Sequence, residues 1–234
     1  MIDINLNAEI NRLLRLEYQA ATAEFLSEWK KAFTEDSPPC RINEFGIIDE
    51  SRYDADNGVL FICKETNGWA NEDYESGCLF RGWMEDISRN GLKGHGHITK
   101  YPNMWYNIGR WEILIENPAT PLNKIAAMKA SAIHAIGNIA FTNVNKVRGK
   151  RTSGKEYDQL AHSQIAGELL KKEIELINPK TIVCCGTCHP VLKLIPNYTG
   201  KIIISPHPGA RNGTIKMLTD LHRQLVQDGG AQDV

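Results

Sequence analysis

Four short stretches of the 234-residue chain combine side chains and spacings able to do chemistry. The first is Lys64-Glu65-Thr66-Asn67-Gly68, whose carboxylate could orient a water or stabilise a developing cation. Taken alone, it is more simply a solvated glutamate beside an Asn-Gly turn. The second is Thr142-Asn143-Val144-Asn145, followed by five basic residues between Lys146 and Lys155. It joins an amide that can both donate and accept to cations suited to phosphate oxygens. A basic run is usually solvated surface, but this one leaves an apolar segment directly. The third is Cys184-Cys185-Gly186-Thr187-Cys188-His189. Cys185-x-x-Cys188-His189 has the spacing of a c-type haem attachment and also that of a thiol redox centre. A metal site there would need further ligands from Cys40, Cys63 or Cys78. Buried structural thiols are the preferred reading, since free cysteine is commonly a core residue. The fourth is Ser205-Pro206-His207-Pro208-Gly209-Ala210-Arg211-Asn212-Gly213. A histidine between two prolines is rigid and poorly placed for core packing, and Gly209 lets backbone amides approach an anion.

Periodicity shows what must position these stretches. Apolar residues at helical spacing from Ala8 to Phe33 predict an amphipathic helix that Pro38 and Pro39 close off. Val59–Cys63, Ile139–Val144, Thr181–Cys185 and Lys201–Ser205 read as four strands. Helices are expected over Pro102–Glu116, Pro121–Gly137, Glu156–Ile177 and Thr214–Gln227. Lys64 to Tyr101 reads mostly as loop, with a helix near Trp83. Strands and helices in alternation predict one α/β domain of three layers over residues 1–234, with a central, mainly parallel, four-stranded sheet. Residues 229–234 are expected to fray. Ligands in such sheets sit at the carboxyl ends of strands, where all four stretches fall.

Composition narrows the function classes. Hydrophobic residues at 42% and charged residues at 24% exclude disordered, collagen-like and disulfide-scaffold chains. A formal charge of −1 removes the general argument for a polyanion partner and leaves only local basic clusters. No apolar run approaches the roughly 20 residues that cross a bilayer, so no membrane partner is expected. Met1 to Asn11 carries no basic n-region, and six cysteines without an export signal read as reduced thiols in the cytoplasm.

The order of these pieces resembles the uracil-DNA glycosylase superfamily. An apolar strand with an acidic loop comes first, then F-T-N-V-N-K-V-R, then E-L-I-N-P-K-T-I-V-x-x-G, then H-P-G. The likeness runs from about Val59 to Arg211, with 81–118 as an insertion. It implies a DNA glycosylase that hydrolyses the N-glycosidic bond of a flipped uracil or modified pyrimidine, without cofactor or metal and with no obligate protein partner. Glu65 falls where the family orients the attacking water, and His207 where it contacts the leaving base. Phe80 matches the aromatic on which the flipped base stacks, and Asn143 the amide that reads its edge. Lys146, Arg148, Lys150, Arg151 and Gly209 would lie along the DNA, and Arg211 would fill the gap left in the duplex.

The departures are informative. The cysteines of the family's iron–sulfur branch are missing from their positions, so no cluster is expected. Thr66-Asn67 stand where strict uracil enzymes place Pro-Tyr, which removes the gate against 5-substituted pyrimidines. The aromatics between Arg81 and Glu116 could enlarge the pocket, although aromatics at helical spacing are more often core. A hypermodified cytosine of phage DNA, excised in antiviral defence, is the refinement that follows, with DNA repair by base excision the other role open to such an enzyme. Two other classes stay open: a non-catalytic binder of damaged or modified DNA, and a thiol oxidoreductase using Cys185 and Cys188. Lys64 reads as surface charge rather than as a lyase nucleophile.

Overall fold

Five consecutive apolar residues, Val59–Cys63, form strand β2, which is buried from end to end. A strand apolar at every position belongs inside a sheet covered on both faces. The computed structural model, which describes residues 2–33, 42–64, 66–67, 79–93, 102–149 and 154–227, builds the domain around it. Strands β4 (Ala140–Asn143) and β6 (Thr181–Cys185) flank β2 in parallel, and β7 (Lys201–Ser205) extends the sheet beyond β6.

The sheet has five strands rather than the expected four. Gly46–Ile47 forms β1, antiparallel to β4, giving the order β1-β4-β2-β6-β7. Two residues are too few to show a period, so this strand leaves no trace in the sequence pattern. Its partner on the open side is a side chain. Asn11 accepts from the Ile47 amide and donates to the Ile47 carbonyl, both at 3.0 Å. Gly46, at φ +134°, leaves room for that amide, because a Cβ there would strike Asn11. Gln224 treats the opposite edge alike, bonding the amide and carbonyl of Ile204 in β7 at 2.8 Å each. Edges closed in this way offer no row of backbone groups to another chain.

Helices cover both faces. On one side lie α1 (Ile4–Ala32), α6 (Lys155–Ala161), α7 (Gln164–Ile177) and α8 (Cys188–Leu194). On the other lie α2 (Leu79–Asn90), α3 (Asn103–Glu116), α4 (Leu122–Ala127), α5 (Lys129–Ala135) and α9 (Thr214–Val226). α1 starts before the expected residue 8, because Asp3 caps it by accepting from the Leu6 amide at 3.0 Å. The expected helix over 156–177 is split. Ser163 accepts from the Ala166 amide as the N-cap of α7 and donates to the Leu160 carbonyl, so its hydroxyl competes with the helix ladder. Pro121–Gly137 likewise divides at Met128, whose ψ of 73° is not helical.

From β2 the chain crosses to β4 on one side, then to β6 on the other. The order thus reverses between β2 and β6, and sheets of this kind take ligands in the crevice at the carboxyl ends of the strands there. Among the described residues, no helix is long and apolar enough to cross a membrane.

Candidate functional site

Three expected loops converge on that crevice. Cys63 and Asn143 are partners in the β2–β4 register, and the ladder runs past both strands. The Val144 amide donates to the Cys63 carbonyl at 2.9 Å, and the Asn145 amide to the Lys64 carbonyl at 2.8 Å. On the other side of β2, the Gly186 amide donates to the Ser205 carbonyl at 2.8 Å, tying the ends of β6 and β7. Gly186 has φ +74°, and a Cβ on it would lie 3.4 Å from Lys64 Cε and 3.7 Å from the His207 nitrogen. Lys64, Gly186 and His207 therefore share one small space. Lys64 is half-buried, with Nζ 5.5 Å from the centre of the Tyr157 ring. Its reading as surface charge is corrected: the strand end aims it inward. Its place directly after β2 was the available signal.

His207 has a defined chemical state. The Gly209 amide donates to its Nδ1 at 3.0 Å, so the proton of the neutral ring sits on Nε2. Burial and the nearby Lys64 charge both push its pKa below the usual 6.5, which keeps the ring neutral at pH 7. The loop is held from beneath by α3. Asn107 Nδ2 donates to the Pro208 carbonyl at 2.7 Å, and Met104 lies against Gly209. Neither Met104 nor Asn107 stands out in the sequence, because nothing local links them to residue 208.

Lys146 is not a phosphate contact. Its side chain is 0% exposed and its Nζ lies 2.6 Å from Oε2 of Glu173, itself 1% exposed. The same Nζ donates to Thr142 Oγ1 at 2.6 Å and to the Asn143 carbonyl at 2.5 Å. Tyr18 from α1 donates to the other Glu173 oxygen, and burial next to that carboxylate raises the phenol pKa, so it stays a donor. Lys146 thus closes the turn after β4 and anchors it to α1 and α7. Its basic neighbours hid this, since only Glu173 in the folded chain distinguishes it. Asn145 supports the same turn by accepting from the Val147 amide at 3.0 Å. Asn143 ends β4 beside the carboxyl end of β2, 2% exposed.

The remaining expected residues fall as follows. Phe80 is 8% exposed and lies in a ring cluster with Phe45 at 5.0 Å, Phe141 at 5.3 Å, Trp83 at 6.0 Å and Trp105 at 6.1 Å. Trp105 belongs to α3, so one helix braces both the ring cluster and the His207 loop. Gly209 and Arg211 are exposed beside His207. Arg148 lies in the short strand β5 (Arg148–Gly149), whose backbone pairs in parallel with β3 (Thr66–Asn67). This brings the backbones after β2 and β4 side by side. Glu65, Lys150 and Arg151 lie outside the described residues.

Two of the described cysteines, Cys184 and Cys185, are poorly suited to form a thiolate. Cys63, Cys184 and Cys185 are buried, burial pushes Cys184 up to about 12, and burial beside Cys63 raises Cys185 well above the ordinary thiol range. A redox nucleophile needs the opposite shift. Compared with models of known families, with curated proteins and with solved structures, the chain matches none.

Proposed function

We propose that the protein is a DNA glycosylase that hydrolyses the N-glycosidic bond of a flipped uracil or modified pyrimidine. The observation that carries this reading is a neutral His207, its Nε2 left as the donor, in the crevice shared with Lys64. In the reaction a water adds to the sugar C1′ as the C1′–N bond breaks. The electron pair of that bond goes to the base, and the water proton passes through the Glu65 carboxylate to solvent. The base departs as an anion that takes a proton from solvent. Charge grows on a base carbonyl, where the His207 Nε2–H donates and the Lys64 ammonium adds a favourable field.

Asn143 supplies a buried amide to the base edge, its main chain pinned by Lys146. Phe80, stiffened by the rings around it, offers a stacking floor for a base taken out of the helix. Thr66-Asn67 in place of Pro-Tyr favours 5-substituted pyrimidines, and a hypermodified cytosine of phage DNA is the substrate we put first. That choice places the protein in antiviral defence rather than repair.

The test is base release. Oligonucleotides carrying uracil or a panel of 5-modified pyrimidines, and phage DNA, are incubated with the protein and cleaved with alkali at abasic sites. Product is expected, with His207→Ala lowering the rate by about 10²–10³-fold. Glu65→Ala should also lose product. No abasic site from any substrate would overturn the reading, and tight binding without release would make the protein a binder of modified DNA.

A further inference from the structure

Arg110, in the middle of α3, is 5% exposed. Its Nη1 lies 3.4 Å from Asn107 Oδ1, its Nε has no hydrogen-bond partner, and no carboxylate among the described residues pairs with it. Its guanidinium carbon sits 5.5 Å from the centre of the Tyr106 ring. The exposed Lys129 approaches the same ring at 5.9 Å, also without a carboxylate partner among the described residues. Two cations therefore share one aromatic ring. Asn107, which touches Arg110, is the residue that holds the Pro208 carbonyl. Arg110 is thereby joined through Asn107 to the His207 loop.

A buried guanidinium lacking a counter-charge is costly, and native proteins pair such groups. A planar fork with an unused donor matches the oxygens of a phosphate. We propose that Arg110 and Lys129, with Tyr106 and Asn107 between them, form an anion subsite that receives a phosphodiester of the bound DNA strand. The assignment rests on the DNA glycosylase reading, and it makes α3 a strand-holding element next to the His207 loop. Arg110 orients one phosphate, while Lys129 at the rim contributes charge alone.

Two measurements test it. Thermal unfolding is followed with inorganic phosphate against chloride at equal ionic strength, for the wild type, Arg110→Met and Arg110→Lys. Phosphate should raise the wild-type midpoint, raise Arg110→Lys less, and leave Arg110→Met unmoved. Without phosphate, Arg110→Met should be at least as stable as the wild type, because the apolar stem remains and the unpaired charge is gone. Affinity is then measured for oligodeoxynucleotides carrying a single neutral methylphosphonate at successive linkages. One linkage should weaken wild-type binding by about tenfold and leave Arg110→Met unaffected.

A destabilised Arg110→Met, together with a wild type blind to phosphate, would mark Arg110 as structural and overturn the subsite. A phosphate response that needs Arg110, with no sensitive linkage, would overturn the strand assignment. Linkage sensitivity without base release would uphold the subsite while the glycosylase reading fails.

Discussion

Lys146→Met separates two accounts of one residue. If Lys146 were a solvated phosphate contact, its loss would change stability by no more than about 0.5 kcal/mol and make DNA binding less salt-dependent. Inside the fold the outcome differs. Met fills the same volume but removes the 2.6 Å ion pair to Glu173 and the bonds to Thr142 and the Asn143 carbonyl. Among the described residues Glu173 then keeps the hydroxyls of Tyr18 and Thr142, with its side chain 1% exposed. Breaking a buried pair from one side costs about 3–5 kcal/mol. For a domain of this size each kcal/mol moves the midpoint about 2–4 °C, so the expected fall is about 6–20 °C. Calorimetry at pH 7 reads it directly. Adding Glu173→Leu should recover more than half of the loss, because no unpaired charge then stays inside. A single variant melting within about 2 °C of the wild type would refute the buried network.

Glu112 in α3 is 2% exposed, its Oε2 has no hydrogen-bond partner, and burial raises its pKa well above 4.5. The unfolded chain loses that proton first, so stability falls as pH rises above about 4.5. Glu112→Gln should therefore be more stable than the wild type at pH 7, and the gain should vanish near pH 4; a pH-independent difference would contradict the assignment. If the glycosylase proposal holds, the acid limb of base release should lie below pH 6.5, because that reading needs neutral His207. Lys64→Met, by removing a neighbouring positive charge, should move that limb to higher pH, and an unmoved limb would separate Lys64 from the site. Asn11→Ala strands the buried Ile47 amide and carbonyl and should cost about 2–4 kcal/mol in urea unfolding. Gln224→Ala, whose partners can turn to water, should cost under about 1 kcal/mol. Equal losses would defeat the edge argument.

Much of the scaffold is local and therefore legible. Thr181–Cys185 and Lys201–Ser205 match β6 and β7 end to end, because apolar residues in short runs between turn formers have few other uses. Their alternation with helical periods was enough for an α/β domain and for placing loops at strand ends. Boundaries set by one competing group, such as the Ser163 hydroxyl that splits α6 from α7, were not visible.

For the site, the sequence by itself determined which side chains leave the strand ends: Lys64, Asn143 and His207. Only the tertiary structure decided what each of them meets. Lys146 reads as one cation in a basic run until Glu173, 27 positions away, takes it into the core. Lys64 reads as surface until the fold sets it over the Tyr157 ring and close enough to His207 for its charge to be felt there. Arg110 looks like an ordinary helix residue until packing hides it with no carboxylate partner among the described residues. The reason is common to all three. A charged side chain takes its state from the solvent and partners around it, and those are set by strand order and helix packing rather than by its neighbours along the chain.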